Sequence, residues 1–226
     1  MPDNSEVLAA CPLFEGVSRQ DMEAMLQCMQ ARIIDVPKGG AVFRVDGPAE
    51  YVGILLSGGV QVFRDDFDGN RAIQATIQPG ELFGETFACA GVARLPVSVE
   101  ADQSSRVLLI RLKRIIETCP SACGFHNRVV LNLLKVLAAK NLLLNRKLEI
   151  VSRRTTREKL MAYLSFQARA AGSNHFAIPF DRQGLADYLG VERSALSAEI
   201  GRLRREGVLE SERSSFRLLK GEAERR

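Results

Sequence analysis

The sequence predicts an α+β protein with an N-terminal antiparallel β jelly roll, one long helix and a C-terminal winged helix-turn-helix domain. Three observations carry that expectation. Residues 31–112 alternate short apolar segments with Gly, Pro and Asp turns. Residues 121–151 hold an apolar pattern of helical period, with no Gly or Pro after Gly124. Residues 180–209 read FDRQGLADYLGVERSALSAEIGRLRREGVL, the spacing of two helices joined by a tight turn. The expected segments are 1–120 for the β domain, 121–152 for the long helix and hinge, and 153–226 for the last domain.

Taken in order, residues 18–29 predict a short amphipathic helix, with Ser18 as its cap and Met22, Met25 and Leu26 on one face. Strands follow at 32–36, 41–45, 51–56, 60–63, 72–77, 97–101 and 106–110. They are punctuated by Pro37-Lys38-Gly39-Gly40, Asp46-Gly47-Pro48, Ser57-Gly58-Gly59, Asp68-Gly69-Asn70 and Pro79-Gly80. Turn signals roughly every 8 to 12 residues are those of a sandwich or jelly roll. Phe67-Asp68-Gly69-Asn70 is the expected hairpin tip, because Asp-Gly supplies the positive φ of a tight turn. A short helix is expected at 112–118.

The long helix over 121–151 has an apolar face wider than one globular contact needs. Val130, Leu133, Leu134, Leu137 and Leu144 have the spacing of a coiled-coil seam, so the helix is expected to pack on its own domain and on a second subunit. The polar tract at 152–157 marks a hinge. Beyond it come a helix at 155–170 stopped by Gly172, a strand at 175–179, two helices, and strands at 208–210 and 216–219 with residues 211–215 as the tip of a wing.

Composition narrows the function classes. The chain has 226 residues, 46% hydrophobic and 26% charged, as in a soluble globular protein. No apolar run reaches the roughly 20 residues of a membrane helix. The start, MPDNSEVLAACPLF, has no basic and then apolar block, so a cytoplasmic protein is expected, without a membrane partner. Five scattered cysteines argue for free thiols. Cys119 and Cys123 lack the spacing and the companions of a zinc site, so no metal is expected. Residues 1–118 carry 11 Lys/Arg against 16 Asp/Glu, whereas residues 119–226 carry 20 against 11. A basic half beside an acidic half is the footprint of a chain that meets a polyanion at one end.

The last domain carries the sharpest chemistry. Ala186, Gly190 and Leu196 stand where a helix-turn-helix needs a small residue at the helix contact, a glycine in the turn and an apolar anchor. Leu185, Leu189, Ile200 and Leu203 complete the inner faces. Arg193, Ser194, Ser197, Ala198, Gly201, Arg202 and Arg205 remain outward on the second helix. Asp181 is placed to cap the first helix, so that N–H groups beside Arg182 and Gln183 face a phosphate. The expected DNA contacts are Arg182, Gln183, Arg193, Ser194, Ser197 and Arg202, with Arg193 the base reader because a guanidinium bonds guanine bidentately.

In order and spacing, Pro37-Lys38-Gly39, Phe43, Asp46-Gly47, Ile54, Gly59-Val60, Asp68-Gly69 and Pro79 to Glu85, then the long helix and winged domain, make the chain resemble the Crp/Fnr family of bacterial transcription regulators. The resemblance implies a cyclic-nucleotide-binding-like barrel and a homodimer joined through the long helix. It also implies a small-molecule effector between barrel and helix, double-stranded promoter DNA as partner, RNA polymerase as a further partner, and no enzymatic activity. The implied effector wall is Gly80, Glu81, Leu82, Phe83, Gly84, Glu85, Arg94, Leu95, Val97, Leu142 and Leu143.

The chain departs from the family pattern in informative places. Cyclic-nucleotide-binding members follow Gly-Glu with an Arg-Ser or Arg-Thr pair that holds the cyclic phosphate. Here Gly80-Glu81 is retained, but Leu95-Pro96 falls where the pair belongs and Arg94 stands one place early. On a strand that shift turns Arg94 to the other face, and Pro96 has no N–H to offer. The effector is therefore expected not to be cAMP. Leu142 and Leu143, where the cAMP-binding member presents hydroxyls to adenine, favour an apolar or aromatic effector with one acidic group for Arg94. Ser194 and Ala198 replace the family's usual glutamate and arginine, so the usual half-site is not expected.

Other classes are weaker. An N-terminal iron–sulfur cluster needs more cysteines than Cys11 and Cys28. A cupin-type enzyme needs clustered metal ligands, and residues 31–112 contain no histidine. A haem-based gas sensor using His126, and a nucleotide-sensing regulatory subunit without DNA binding, remain as alternatives.

Overall fold

The computed structural model describes residues 4–65, 71–117 and 124–219. The expected hairpin tip at Phe67 to Asn70, and Cys119 and Cys123, lie outside the described residues. The chain divides into two compact units, Met1–Ala139 and Lys140–Arg226.

The first unit opens with helix α1 (Asn4–Ala10), a 3-10 turn (Pro12–Phe14) and α2 (Arg19–Cys28). Ser18 caps α2, its side chain accepting from Asp21 N at 3.1 Å. The strands are β1 (Arg32–Val36), β2 (Ala41–Phe43), β3 (Tyr51–Ser57), β4 (Val60–Asp65), β5 (Arg71–Ile77), β6 (Leu82–Phe83), β7 (Ser98–Ala101) and β8 (Ser105–Arg111). Short helices α3 (Glu85–Cys89) and α4 (Leu112–Ile116) are interspersed, and α5 (Gly124–Val151) follows. The strands form two antiparallel four-stranded sheets, ordered β1-β8-β3-β6 and β2-β7-β4-β5, as the expected jelly roll requires.

Alternation along the strands explains this layering. Val36, Leu55, Phe83 and Val107 from the first sheet meet Val60, Ile77, Val99 and Ala101 from the second in one apolar interior. The opposite face of the first sheet carries Val52, Ile54, Leu56, Leu108 and Ile110, and packs on Leu13, Phe14, Met22, Met25 and Val129. β3 is thus buried on both faces, which is why Tyr51–Ser57 reads as a continuous apolar run rather than an alternation. Buried Asn132 of α5 donates to Leu13 O at 3.1 Å and Glu15 O at 2.9 Å, tying the helix to the N-terminal segment.

The second unit contains α6 (Thr156–Ala171), β9 (His175–Ala177), α7 (Arg182–Leu189), α8 (Arg193–Arg205), β10 (Leu209–Glu212) and β11 (Ser215–Leu218). Thr155 and Glu158 form a reciprocal capping box at the start of α6, and Gly172 ends it in the left-handed conformation. The expected strand pair is a three-stranded antiparallel sheet ordered β10-β11-β9, with Phe216 opposite both Ser211 and Phe176. The wing tip is narrower than expected, since Glu212 and Ser215 already pair and only Arg213 and Ser214 turn. The core gathers Ile150, Leu160, Tyr163, Leu164, Leu185, Leu189, Leu196, Leu203 and Phe216. The long helix, expected as a segment of its own, gives Val129 and Leu133 to one unit's core and Ile150 to the other's.

Candidate effector cavity and nucleic-acid interface

Residues 79–97 run from β6 in the first sheet to the start of β7 in the second, and their roles separate by burial. Gly80 N donates to Leu55 O at 2.8 Å, and the exposed Glu81 accepts from Gln78 N through Oε2 at 2.8 Å, so Gly80-Glu81 is a turn closed on itself. Leu82 and Phe83 form β6, paired with Ile54 and Gly53, and both side chains are buried. Gly84 has φ +78°, and a Cβ there would lie 3.0 Å from the Phe43 ring and from Tyr51 O. Only glycine meets both demands, and it delivers the next residue inward. Glu85 is 1% exposed and accepts from Thr86 Oγ1 at 3.1 Å. The inward Gly-Glu step is therefore Gly84-Glu85, whereas the one read at Gly80-Glu81 faces solvent.

At the arginine end, Leu95 and Val97 are buried while Arg94 is exposed. The backbone of Arg94 bridges to Pro48, and Leu95 N and O bond Gly47 O and Asp46 N, each at 2.9 Å. That pairing orients Leu95 inward and its neighbour outward. Val97 and Pro96 line a cavity of about 570 Å³ with Val45, Phe63 and Ala72. Its polar lining is Asp46, Arg64, Asp65, Gln74 and Ser98. The Arg71 guanidinium lies 3.6 Å from the centre of the Phe63 ring and holds Glu100 through two bonds of 3.1 and 3.2 Å. Of the residues expected around an effector, this cavity gathers Val97 only. Leu142 and Leu143 belong to the other unit and are exposed. Arg64 and Gln74 escaped the sequence reading because strand alternation alone does not say which side chains meet across a cavity.

His126 is buried, with Nε2 3.2 Å from Arg114 O. That bond is a structural use for the ring.

In the second unit, Asp181 accepts from Gly184 N at 2.7 Å, the expected cap of α7, and Gly190 ends α7 at φ +61°. Leu196, Ile200 and Leu203 seat α8 on the core, leaving Arg193, Ser194, Ser197, Ala198 and Arg202 exposed. Arg182 sits 5.8 Å from the Phe216 ring centre. Its pKa is lowered first by burial, then by Arg193 and Arg204, which marks three guanidinium groups sharing one field. An anion relieves such a cluster. Gln183 donates to Asp187 at 2.8 Å and so enters the site already engaged. Arg202 is drawn to the buried Glu199 at 3.1 Å, and Glu199 also lies 3.7 Å from Arg157, which in turn holds Glu206 at 2.6 Å. Arg204 was missed by the sequence reading, although its place three residues after Gly201 on a basic helix was the available signal.

The residues expected in a dimer seam divide. Leu133 is buried in the first unit's core, with Val130 and Leu137 packed against it. Leu134 and Leu144 are exposed. Leu131 and Leu148, outside the expected set, are exposed as well. With Ala138, Asn141 and Asn145 they give the stripe 131, 134, 138, 141, 145, 148, a heptad spacing on one helix face.

Comparison with known proteins gives the class first. Residues 33–121 match the model for a cyclic nucleotide-binding domain, and residues 158–223 match the model for a Crp-like helix-turn-helix domain. The chain belongs to the Crp/Fnr family, whose members are DNA-binding transcription regulators and not enzymes. It is 24% identical over 209 residues to the transcriptional activator protein FnrA of Stutzerimonas stutzeri, covering 90% of this chain and 83% of that one. Among solved structures, catabolite activator protein of Thermus thermophilus matches with a TM-score of 0.54 at 22% identity, over 92% of this chain and 93% of that one. CprK complexed with OCPA matches with a TM-score of 0.64 at 13% identity, over 88% and 89%. At these identities the two structures speak for the fold alone. No helix among the described residues is long and apolar enough to cross a membrane.

Proposed function

We propose that this chain is a homodimeric, effector-responsive transcription regulator that binds promoter DNA through α8 and takes a small effector other than cAMP in its jelly roll. The observation that carries the DNA-reading half is the exposed face of α8, with Arg193, Ser194, Ser197 and Arg204 open beside Arg182. Arg193, Ser194 and Ser197 meet base edges, while Arg182 and Arg204 hold phosphates. Arg202, restrained by Glu199, is a weaker reader.

The rejection of cAMP rests on geometry. The side chain at the phosphate position is the buried Leu95, the next residue is a proline, and Arg94 faces solvent. Glu85, not Glu81, is the buried carboxylate of this segment. The hydrogen bond of His126 to Arg114 O favours a structural role over haem ligation. Dimerisation is assigned to the apolar stripe from Leu131 to Leu148, with Asn141 and Asn145 setting register as buried polar positions do in coiled coils. RNA polymerase is the expected further partner at the promoter, and the domain division 1–120, 121–152 and 153–226 stands as a working frame for that dimer.

A gel-shift series on DNA upstream of the chain's own gene tests the reading. Wild type should give a specific shift, and Arg193→Ala should weaken it by about 1–3 kcal/mol and relax base preference. No specific shift from the wild type, with or without cell extract, would sink it.

A further inference from the structure

We infer that the cation reading the effector's acidic group is Arg64, and that the ligand class is a small aromatic monoanion. The inference rests on the effector-pocket reading above and adds the anchoring residue and the chemistry. Arg64 lines the cavity from β4, opposite Ala72 of β5 in the strand pair. It is the one cationic side chain among the described lining residues, and none of them gives it a hydrogen bond or ion pair. Neighbouring Arg71 is committed, held by Glu100 and lying over Phe63, with Asp65 at 3.9 Å. Arg94, the arginine expected from the family pattern, does not line the cavity.

The walls set the rest of the ligand. Ala72 and Pro96 offer apolar surface over the buried Phe63 and Val97, in a volume of about 570 Å³. The carboxylates of Asp46 and Asp65 share the cavity with Arg64, so one anionic group is held only in direct contact with the guanidinium, and a second negative charge on the ligand meets repulsion. A polyphosphate is disfavoured, and an aromatic carboxylate or sulfonate with one negative charge is matched.

The test uses two fluorescent probes of one aromatic skeleton on the full chain. 8-Anilinonaphthalene-1-sulfonate carries the anion, and N-phenyl-1-naphthylamine lacks it. Arg64→Gln should weaken the sulfonate about tenfold and leave the neutral probe unchanged, whereas Arg64→Lys should recover most of the loss, the size expected for one charge-assisted contact. Arg94→Gln should change neither. Circular dichroism checks that each variant is folded, which the exposure of Arg64, Ala72 and Arg94 favours. Ala72→Trp fills the cavity and should displace both probes. If Ala72→Trp displaces both but Arg64→Gln changes neither, or if Arg94→Gln takes the sulfonate instead, the assignment of Arg64 is overturned while the cavity stands. If Ala72→Trp leaves both probes bound, the cavity itself is not the effector site, and that part of the proposed function falls with it.

Discussion

Cys11 shows how a single side chain acquires chemistry from its surroundings. It is buried beneath α1 and the 3-10 turn, and burial pushes its thiol up to about 11 from an ordinary 9.0, the backbone at Leu13 offsetting only part of this. The folded state therefore favours the protonated thiol. Its contribution to stability is complete below pH 9.0 and is lost as pH rises toward about 11. Iodoacetamide at pH 8 should leave Cys11 unmodified in the native protein while the exposed Cys89 reacts, and denaturant should open both; rapid native labelling of Cys11 would contradict its burial. At this scale the sequence was informative wherever a residue type has one use. Asp181 as a cap and Gly190 as a helix stop are such cases. It was uninformative for Glu81 against Glu85, since both follow a glycine and only the strand pairing of Leu82 and Phe83 decides which carboxylate turns inward.

At the level of elements, α5 carries two apolar faces with different fates. One is spent on the first unit through Val129 and Leu133, and the other, through Leu131 and Leu134, is 58% exposed at each leucine. These two leucines, open to solvent on a heptad stripe, are the basis of the proposed dimer seam. Leu134→Glu combined with Leu148→Glu should convert a dimer to a monomer in sedimentation while leaving helix content intact. A dimer that survives both changes would place the seam elsewhere. Periodicity reveals that α5 has a wide apolar face, yet a shift of one residue separates Val130 and Leu133 from Leu131 and Leu134. A helix advances 100° per residue, so only packing tells adjacent stripes apart.

For the whole molecule the governing quantity is the charge imbalance, with 20 Lys/Arg against 11 Asp/Glu over residues 119–226. DNA affinity should fall with salt at a slope of about −0.9 per phosphate contacted, and Arg182→Ala should flatten the slope without changing base preference. A chain that sensed a nucleotide without binding DNA would show no such dependence. Fluorescence anisotropy across a salt series distinguishes the two.

By itself the sequence determined the order of elements, the jelly roll, the long helix and the helix-turn-helix, because hydrophobic period, turn residues and caps act over a few neighbouring positions. Set against the family pattern, the sequence has Leu95-Pro96 where a phosphate-holding pair is expected, which is the ground for proposing an effector other than cAMP. It left unseen α1, the 3-10 turn, β6 and α3, each too short for a period to register. Only the tertiary structure decided that Glu85 and Leu95 face inward, that Arg64 rather than Arg94 lines the cavity, and that Glu199 restrains Arg202. Each of those outcomes depends on residues distant in the chain meeting in space, where strand register and burial select among side chains that local sequence leaves equivalent.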